Sequence, residues 1–241
     1  MDAGTPTRLT TRAAAALALG ASLTAALLLG LALLSPASAA ATDAASIRPH
    51  IVKKYIPFGN TRKAQMADYC KRHYHQHQWA LSHPKVIVLH FTAGADWKSA
   101  WNTFAANSAY MSTDGVWEKP GVSAHFIVGK GGTIYQCVPL GYRARHAIGM
   151  NWTAIGIEIV QEVPSGKTGH WADQQILHRS KQITAALKLV RYLKARFFIK
   201  NKNVIGHAMA NNSPYFKDYT GAKNATGDWI KRDVIQFRAR L

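Results

Sequence analysis

The sequence contains little cysteine and few acidic residues. Two Cys among 241 residues exclude a disulfide-rich scaffold and a structural zinc site with Cys-x-x-Cys spacing. A Gly count of 18 excludes a collagen-like chain, and a hydrophobic content of 48% excludes a disordered basic tail. The 12 acidic residues face 30 Lys and Arg, and the net charge of +18 predicts a partner rich in phosphate or carboxylate. Nucleic acid, anionic lipid and an acidic polymer all fit this charge.

Long hydrophobic runs are also scarce. Residues 13–34 form the one segment that is apolar and long enough to cross a membrane. Ser-Pro at 35–36 interrupts this run, and Ala-Ser-Ala at 37–39 provides the small residues that a signal peptidase requires. We interpret residues 1–39 as a cleaved export signal, with an uncleaved membrane anchor as the alternative. Cleavage predicts a secreted protein.

The rest of the chain is interpreted as one domain. Residues 40–61 form a polar, extended lead-in, and no Pro/Ser/Gly-rich linker divides residues 62–241. Export to an oxidising compartment allows Cys70 and Cys137 to form a disulfide. Two buried thiols are the alternative, and the sequence leaves both open.

Short apolar runs alternate with segments of helical periodicity, which predicts an α/β fold. Asp96 is expected to cap one of the helices, and the glycines at 129–132 supply the positive φ of a hairpin turn. Residues 108–122 are predicted to be a loop. The predicted strands are 86–91, 124–128, 133–138, 155–160 and 203–206, and the predicted helices are 62–79, 96–107, 183–197 and 229–240.

Three polar residues lie at or near the ends of apolar strands, where side chains leave the core. His90 shares a strand face with Val86 and Val88, Glu158 interrupts an apolar run, and His207 follows another. Singly, each has a structural explanation, such as a hydrogen-bonded strand histidine or a solvated glutamate. Together, two neutral imidazoles and a carboxylate form the ligand set of a catalytic zinc centre, and a further carboxylate would serve as general base.

These residues belong to stretches whose order identifies a resemblance. The chain resembles the zinc-dependent N-acetylmuramoyl-L-alanine amidases, whose fold is shared with peptidoglycan recognition proteins and phage T7 lysozyme, from about residue 62 to the C-terminus. The resemblance implies a single α/β domain with a central mixed β-sheet flanked by helices, and makes residues 62–241 the catalytic domain. The matching stretches are 86–93, 122–128 with 132–136, 145–149 with Asn151, 155–158 and 204–207.

The resemblance also implies an activity and most of its residues. A secreted hydrolase of peptidoglycan would cleave the amide between N-acetylmuramic acid and L-alanine with zinc-activated water. His90 and His207 match the zinc ligands, Glu158 matches the catalytic glutamate, and His146 matches a histidine that lines the cleft. No His-Glu-x-x-His and no Gly-x-Ser-x-Gly sequence occurs, so other hydrolase classes lack their motifs.

The third zinc ligand and the group that stabilises the oxyanion are left open by the resemblance. Asp218 keeps roughly the family's distance from the second histidine, whereas Asp228 precedes a tryptophan and matches a branch with a longer loop. We favour Asp228, with capping of the last helix as its alternative role. The family's usual lysine is missing, so Lys217, Lys223 and His146 are the candidates for oxyanion stabilisation.

Four further residues are assigned to the substrate side of the cleft, although His125 and Trp97 also fit structural roles in the strand and the core. The alternating histidines 73, 75 and 77 point in different directions on a helix, so we interpret them as solvated basic surface rather than a metal site. The four substrate-side residues are Thr92, Trp97, His125 and Asn151.

Two other functions compete with a secreted amidase. A non-catalytic recognition module of the same fold would bind muropeptide without cleaving it. A nucleic-acid or membrane-surface binder would use the charge directly, but export and the histidine–glutamate pattern argue against it. We therefore expect an extracytoplasmic protein of the cell wall that binds Zn²⁺ and peptidoglycan and is retained on anionic wall polymers. We expect neither nucleic-acid binding nor stable membrane insertion.

Overall fold

The computed structural model of the chain describes residues 46–241. The predicted export signal at 1–39 and residues 40–45 of the predicted lead-in lie outside the described residues. Within 46–241, no helix combines the length and the apolar character that crossing a bilayer requires.

A six-stranded sheet forms the centre of the fold, with the strand order β1-β6-β5-β7-β2-β8. Neighbouring strands run parallel except in the β5–β6 hairpin, which is antiparallel, so the sheet is mixed. The strands β3 and β4 form a separate antiparallel hairpin. The bounds are β1 (Ile51–Lys53), β2 (Val86–Ala93), β3 (Tyr110–Met111), β4 (Trp117–Glu118), β5 (Phe126–Val128), β6 (Ile134–Gln136), β7 (Ala154–Glu162) and β8 (Val204–Gly206).

Five α-helices flank the sheet within the described residues, which confirms the predicted α/β class. The longest, α4, packs its apolar stripe against the sheet, as its three- and four-residue spacing predicts. Two short 3₁₀ segments border β8. The helices are α1 (Asn60–Tyr74), α2 (Trp97–Ala106), α3 (Gly169–His178), α4 (Ser180–Phe197) and α5 (Lys231–Arg238), and the 3₁₀ segments are Asn201–Asn203 and His207–Asn212.

Both faces of strand β2 are covered by packed side chains. Ile87 and Leu89 belong to the cluster that packs against α4, whereas Val86 and Val88 pack on the opposite side with Met150. All four β2 residues are fully buried, as expected for a strand of a mostly parallel sheet. The two-residue alternation directs the next residue, His90, to the side of Val86 and Val88.

Several predicted boundaries are confirmed, and the local chemistry explains them. The Asp96 side chain accepts from the Ser99 backbone N–H at 2.8 Å and begins α2 as predicted. Gly132 has a φ of +90° in the β5–β6 turn. Helix α1 ends at Tyr74, earlier than predicted, because His75 adopts the left-handed conformation with a φ of 54°.

The pattern missed three short elements. The predicted loop 108–122 contains the β3–β4 hairpin, whose two-residue strands are too short to show alternation. The polar lead-in contributes β1, an edge strand that pairs with β6. Helix α3 begins at the N-cap Thr168, whose hydroxyl accepts from the Trp171 N–H at 3.3 Å. Its apolar residues are too few to give a clear period.

Both cysteines are free thiols, and both are buried. Cys70 lies in α1 and contacts the Met66 sulfur at 3.8 Å, while Cys137 packs in a separate cluster with Ile127 and Val138. Of the two predicted alternatives, the structure has the buried thiols. Burial raises the pKa of the Cys137 thiol to about 12, so this thiol stays protonated.

A buried ionic cluster connects α1 to the β3–β4 hairpin. The His73 side chain is 0% exposed and donates from Nδ1 to Asp218 and from Nε2 to Glu118, both at 2.7 Å. Arg72 pairs with Glu118 at 3.1 Å and with Asp114. Burial lowers the pKa of His73, but its bonds to the two carboxylates outweigh burial and raise that pKa.

The prediction of solvated basic surface is therefore wrong for His73. It fits His77, which is exposed and pairs with Asp68 at 3.1 Å. His75 stacks on Tyr219 with ring centroids 3.9 Å apart. A residue count along the helix could not show that the hairpin and a distant loop would cover one of the three histidines.

Replacing His73 with Gln should lower the free energy of unfolding by about 3 kcal/mol at about pH 5.5, because the buried carboxylates lose their shared cation. Since the folded pKa is raised, this contribution is complete below the unfolded pKa of about 6.5 and is lost as the pH rises through the folded pKa. Urea unfolding at about pH 5.5 and at about pH 9 measures the difference. His77→Gln is the exposed control, and a His73→Gln effect of equal size at both pH values would contradict the ionic role.

Candidate metal centre

Three polar side chains reach the same edge of the sheet. In the parallel register of β2 and β7, His90 lies opposite Glu158. On the other side of β2, Leu89 lies opposite Gly206, so His207 follows at the level of His90. The three strands that sequence analysis selected are thus adjacent, and their carboxyl ends bring the three residues together. This edge is where open α/β sheets bind ligands.

An aspartate completes the group. One donor atom from each of His90, His207 and Asp228 lies within 4.8 Å of the others, and no other such group is found among residues 46–241. The Nδ1 atoms of the two histidines are 3.1 Å apart. Asp228 Oδ2 lies 3.4 Å from His90 Nδ1, and Asp228 Oδ1 lies 3.2 Å from His207 Nδ1.

Trp229 fixes the position of Asp228. The Trp229 side chain is fully buried, and its indole N–H donates to the carbonyl oxygen of His90 at 3.2 Å. The Trp229 carbonyl lies directly over Gly206, where a Cβ atom would approach that oxygen to 1.6 Å. Only glycine permits this contact, and the contact brings residue 228 beside His207.

Asp228 does not cap the last helix, so its predicted alternative role is wrong. Helix α5 begins after Ile230, which makes no side-chain cap. Asp173 of α3 instead accepts from the backbone N–H groups of Trp229 and Ile230, at 3.1 and 3.3 Å. The Asp228 carboxylate accepts from the Thr226 hydroxyl and is free to face the histidines.

The hydrogen bonds around His207 determine its tautomer. Asn224 Oδ1 accepts from the backbone N–H of Ile148 at 2.9 Å, so this amide atom is an oxygen. The same oxygen lies 3.0 Å from His207 Nε2, which must therefore carry a hydrogen. The Nδ1 atom of neutral His207 then has a lone pair directed at Asp228.

The tautomer of His90 follows from a second chain of bonds. His146 Nε2 is 3.5 Å from the Ala154 carbonyl oxygen, a long contact to which only an N–H is suited. His146 Nδ1 therefore accepts from His90 Nε2 at 3.0 Å. This arrangement leaves His90 Nδ1 with its lone pair. His146 fits beside the sheet because β7 has Gly156 there, where a Cβ atom would lie 2.6 Å from the His146 ring.

The three donor atoms fit a zinc ion. Burial and the neighbouring His207 together lower the pKa of His90 to about 4, so the imidazole is neutral and able to ligate at pH 7. The lone pairs of His90 Nδ1 and His207 Nδ1 thus converge on the Asp228 carboxylate, and no hydrogen lies between these atoms. A bound cation would satisfy all three of them. Zinc takes this N₂O donor set in catalytic sites.

Glu158 lies beside the three donors in a different state. Its Oε2 atom is buried and has no hydrogen-bond partner among the described residues. Burial raises the pKa of Glu158 to about 8, and the charge of Asp228 contributes to the rise. A carboxyl group of this kind can hold or release a proton near neutral pH, as a general base requires.

A cavity of about 460 Å³ opens onto this centre. Of the other residues assigned from the sequence, His146, Asn151 and the alternative Lys223 border it. Asn151 is fully buried and accepts from the backbone N–H groups of His146 and Ala147 at 2.9 and 2.8 Å. The amide of Asn151 also donates to Tyr69 at 3.1 Å, so Asn151 shapes the cavity wall through contacts within the protein.

Three residues assigned to the substrate side do not border the cavity among the described residues. Thr92 donates to the Gly94 carbonyl at 3.0 Å within its own turn. Trp97 stacks on Tyr135 with ring centroids 4.0 Å apart. His125 is fully buried and joins two backbone segments.

His125 Nε2 donates to the Tyr142 carbonyl at 2.9 Å, and Nδ1 accepts from the Gly156 N–H at 3.1 Å. His125 and Trp97 thus occupy the structural positions that were stated as the alternatives to a substrate role. Asp218 and Lys217 are likewise not among the residues that border the cavity. Asp218 binds His73, and the Lys217 ammonium lies 5.0 Å from the Tyr219 ring centroid.

Comparisons with known proteins give a family and a set of similar structures. A family model described as N-acetylmuramoyl-L-alanine amidase matches residues 80–226. A mutant endolysin from Bacillus subtilis is 25% identical, with 66% of this chain and 83% of that chain covered and a TM-score of 0.42. The amidase LysCS from Clostridium intestinale URNW is 22% identical, with 66% and 82% covered and a TM-score of 0.42.

A recognition protein, bumblebee PGRP-SA, is 19% identical, with 68% of this chain and 87% of that chain covered and a TM-score of 0.45. No curated protein sequence matches the chain. The assignment rests on the family model, whose match spans more than half of the sequence. The chain belongs to the Amidase_2 family of N-acetylmuramoyl-L-alanine amidases.

Proposed function

We propose that this protein is a secreted, zinc-dependent peptidoglycan hydrolase that cleaves the amide between N-acetylmuramic acid and L-alanine. The family supports hydrolysis or binding of peptidoglycan, and the finer statement depends on one observation. Two histidines with lone pairs directed at an aspartate lie next to a half-buried glutamate whose Oε2 atom has no partner among the described residues, and all four residues border one cavity. Binding of peptidoglycan without hydrolysis requires neither the metal-ligating side chains nor the glutamate.

His90, His207 and Asp228 would hold the zinc. Bound zinc supplies a Lewis acid that polarises the scissile carbonyl and makes water easier to deprotonate. The third ligand is argued from geometry, because the family match ends just before Asp228 and Asp218 is committed to His73.

Glu158 would move the proton. Its carboxylate takes a proton from the attacking water and delivers it to the departing amine nitrogen of L-alanine. The unpaired Oε2 atom supports this role, since a buried carboxylate oxygen costs free energy unless a ligand supplies its partner.

Lys223 is the best supported donor for the oxyanion among Lys217, Lys223 and His146. It borders the cavity, whereas Lys217 does not. Both ring nitrogens of His146 are occupied, by His90 and by the Ala154 carbonyl. The Lys223 ammonium lies 4.4 Å from the Phe216 ring centroid, a contact that a substrate oxyanion could replace.

The distribution of charge supports retention on anionic wall polymers. Among the described residues, only Asp68, Asp96 and Glu162 are exposed acids. The other acids are half-buried or buried, so the surface is more basic than the net charge of +18 suggests. An export signal at 1–39 would deliver this basic domain to an envelope rich in carboxylate and phosphate.

Glu158→Gln should reduce hydrolysis of purified sacculi by at least about 100-fold while zinc remains bound, because the general base is lost and the ligands are kept. Mass analysis of the soluble products measures activity, and metal analysis measures zinc. The wild-type protein should release free stem peptides that begin with L-alanine. Glu162→Gln, on the same strand but exposed, is the matched control and should remain active.

The products also decide between the competing functions. Shortened glycans or cleaved cross-bridges would contradict the assigned bond. Zinc-loaded wild-type protein that binds sacculi and releases no peptide would identify a recognition module instead. Full activity of the Glu158→Gln variant would remove Glu158 from the mechanism.

Retention on the wall should weaken steeply as salt rises from about 0.1 M to about 1 M, because screening shortens the range of the attraction. Co-sedimentation of the Glu158→Gln protein with sacculi measures retention without hydrolysis. Sacculi stripped of their anionic polymers provide the comparison and should retain less protein. Retention that does not change with salt would show that the positive charge has another purpose.

A further inference from the structure

Asn224 lies in a loop without regular structure and contacts the candidate metal centre from outside. Its Nδ2 donates to the Ile148 carbonyl at 2.9 Å and to Asn211 Oδ1 at 2.8 Å. Its Oδ1 accepts from the Ile148 N–H and from His207 Nε2. Because Ile148 contributes both a donor and an acceptor, the amide of Asn224 can have only one orientation.

We propose that Asn224 is the positioning residue of the metal centre, holding His207 in the tautomer that directs the Nδ1 lone pair at the ion. The amide oxygen can only accept, so an Nδ1–H tautomer would place two lone pairs against each other at 3.0 Å. This inference rests on the metal centre of the proposed function but not on hydrolysis. Loss of the hydrogen-bond partner of a ligating histidine typically weakens metal binding by about 10- to 100-fold.

Three variants separate positioning from general support of the loop. Asn224→Ala removes the acceptor of His207, Asn224→Asp keeps an acceptor oxygen and loses the amide donors, and Asn211→Ala loosens the loop without touching His207. The dissociation constant of zinc, measured at neutral pH against a competing chelator, is the readout. Circular dichroism of the metal-free proteins reports folding.

We expect zinc to dissociate about 10- to 100-fold more readily from Asn224→Ala, while Asn224→Asp and Asn211→Ala stay within a few-fold of wild type. Equal weakening in Asn224→Ala and Asn211→Ala would overturn the proposal, since loop support alone would explain it. So would weak binding by Asn224→Asp, and so would unchanged binding by Asn224→Ala. Because zinc affinity is measured without substrate, the result is independent of whether the protein hydrolyses sacculi.

A second observation concerns the β3–β4 hairpin at the rim of the cavity. Exposed large hydrophobic residues concentrate there, with Tyr110 at 52%, Met111 at 48%, Val116 at 41% and Trp117 at 67% exposure. Met111 and Trp117 are directly paired across the two strands, so they share one face. A contiguous exposed apolar patch of this kind is rare on protein surfaces outside binding sites.

The hairpin is held rigid from behind. The buried Arg145 side chain donates to the Tyr110 and Glu118 carbonyls at 3.2 and 2.8 Å and to the Ser112 hydroxyl at 3.0 Å. Arg72 pairs with Asp114 at the turn. Two-residue strands do not hold themselves in place, so these cations fix the exposed face before any ligand binds.

The cleft continues past this hairpin. Tyr110 and Met111 line the 460 Å³ cavity of the metal centre. A neighbouring cavity of about 310 Å³ shares Tyr110 and Val122 with the first and extends to Thr103 and Ala106 of α2. A polymer could therefore pass from the metal centre along Tyr110, whereas a small substrate would need only the first cavity.

We propose that Tyr110, Met111 and Trp117 bind the glycan strand of peptidoglycan, an inference that rests on the proposed function for its substrate class. Pyranose rings present flat C–H faces that pack on aromatic side chains, which offer a large apolar area at little entropic cost. The stem peptide carries free carboxylates that favour basic partners, and the exposed face of the hairpin is apolar.

Binding of soluble, peptide-free glycan chains tests this proposal, with affinity followed by calorimetry. Trp117→Ala should weaken glycan binding about tenfold, the loss expected for one aromatic contact of about 1.4 kcal/mol. Ile235→Ala, which removes an exposed apolar side chain from α5, should bind like wild type. Tyr110→Ala is a second variant at the hairpin rim of the same cavity and should also lose affinity.

Unchanged glycan binding in both hairpin variants would overturn the proposal. So would a loss confined to free stem peptide, since the peptide would then be the occupant. The measurement needs no cleavage, so a wild-type protein that binds glycan without hydrolysing sacculi would refute the proposed activity and leave the hairpin assignment standing.

Discussion

The contact between Trp229 and Gly206 is the constraint on which the candidate metal centre depends. Trp229 adopts a φ of 54°, an uncommon conformation for a bulky residue, and its carbonyl occupies the space that any side chain at position 206 would fill. Burial of the indole and its bond to the His90 carbonyl compensate for this conformation. The carboxylate of Asp228 is therefore positioned by the packing of its neighbour together with the hydrogen bond from Thr226.

The second organising feature is the inward placement of acids in a basic protein. In the ionic cluster at α1, the carboxylates of Asp114, Glu118 and Asp218 face the cations Arg72, His73 and Arg145, so opposite charges balance in a largely buried group whose most exposed member is Arg72. At the candidate metal centre, Asp228 lies beside the imidazoles of His90 and His207, and this is the donor set proposed to hold zinc. The same composition thus provides a structural cluster, a candidate metal centre and a basic surface.

Sequence reasoning could predict those parts of the site that lie on strands. His90, Glu158 and His207 follow from two-residue alternation and from the convergence of parallel strands at one edge. The preference for Asp228 over Asp218 rested on the tryptophan that follows Asp228 and on the resemblance, because residues 213–227 have no periodicity and a residue count does not describe their path. Thr92, Trp97 and His125 were expected on the substrate side of the cleft, but tertiary contacts engage all three elsewhere and none of them borders the cavity of the described residues.

Helix α1 connects these parts, although it contributes no residue to the metal centre. The Tyr69 hydroxyl accepts from Asn151, which holds the backbone of His146, the partner of His90. The Arg145 guanidinium lies 4.7 Å from the Tyr69 ring centroid and anchors the hairpin. A shift of α1 would therefore disturb the orientation of a metal-directed histidine and the rim of the cleft together. This coupling explains why a helix outside the central sheet buries a tyrosine, a histidine and ion-paired residues where an apolar stripe would suffice for packing alone.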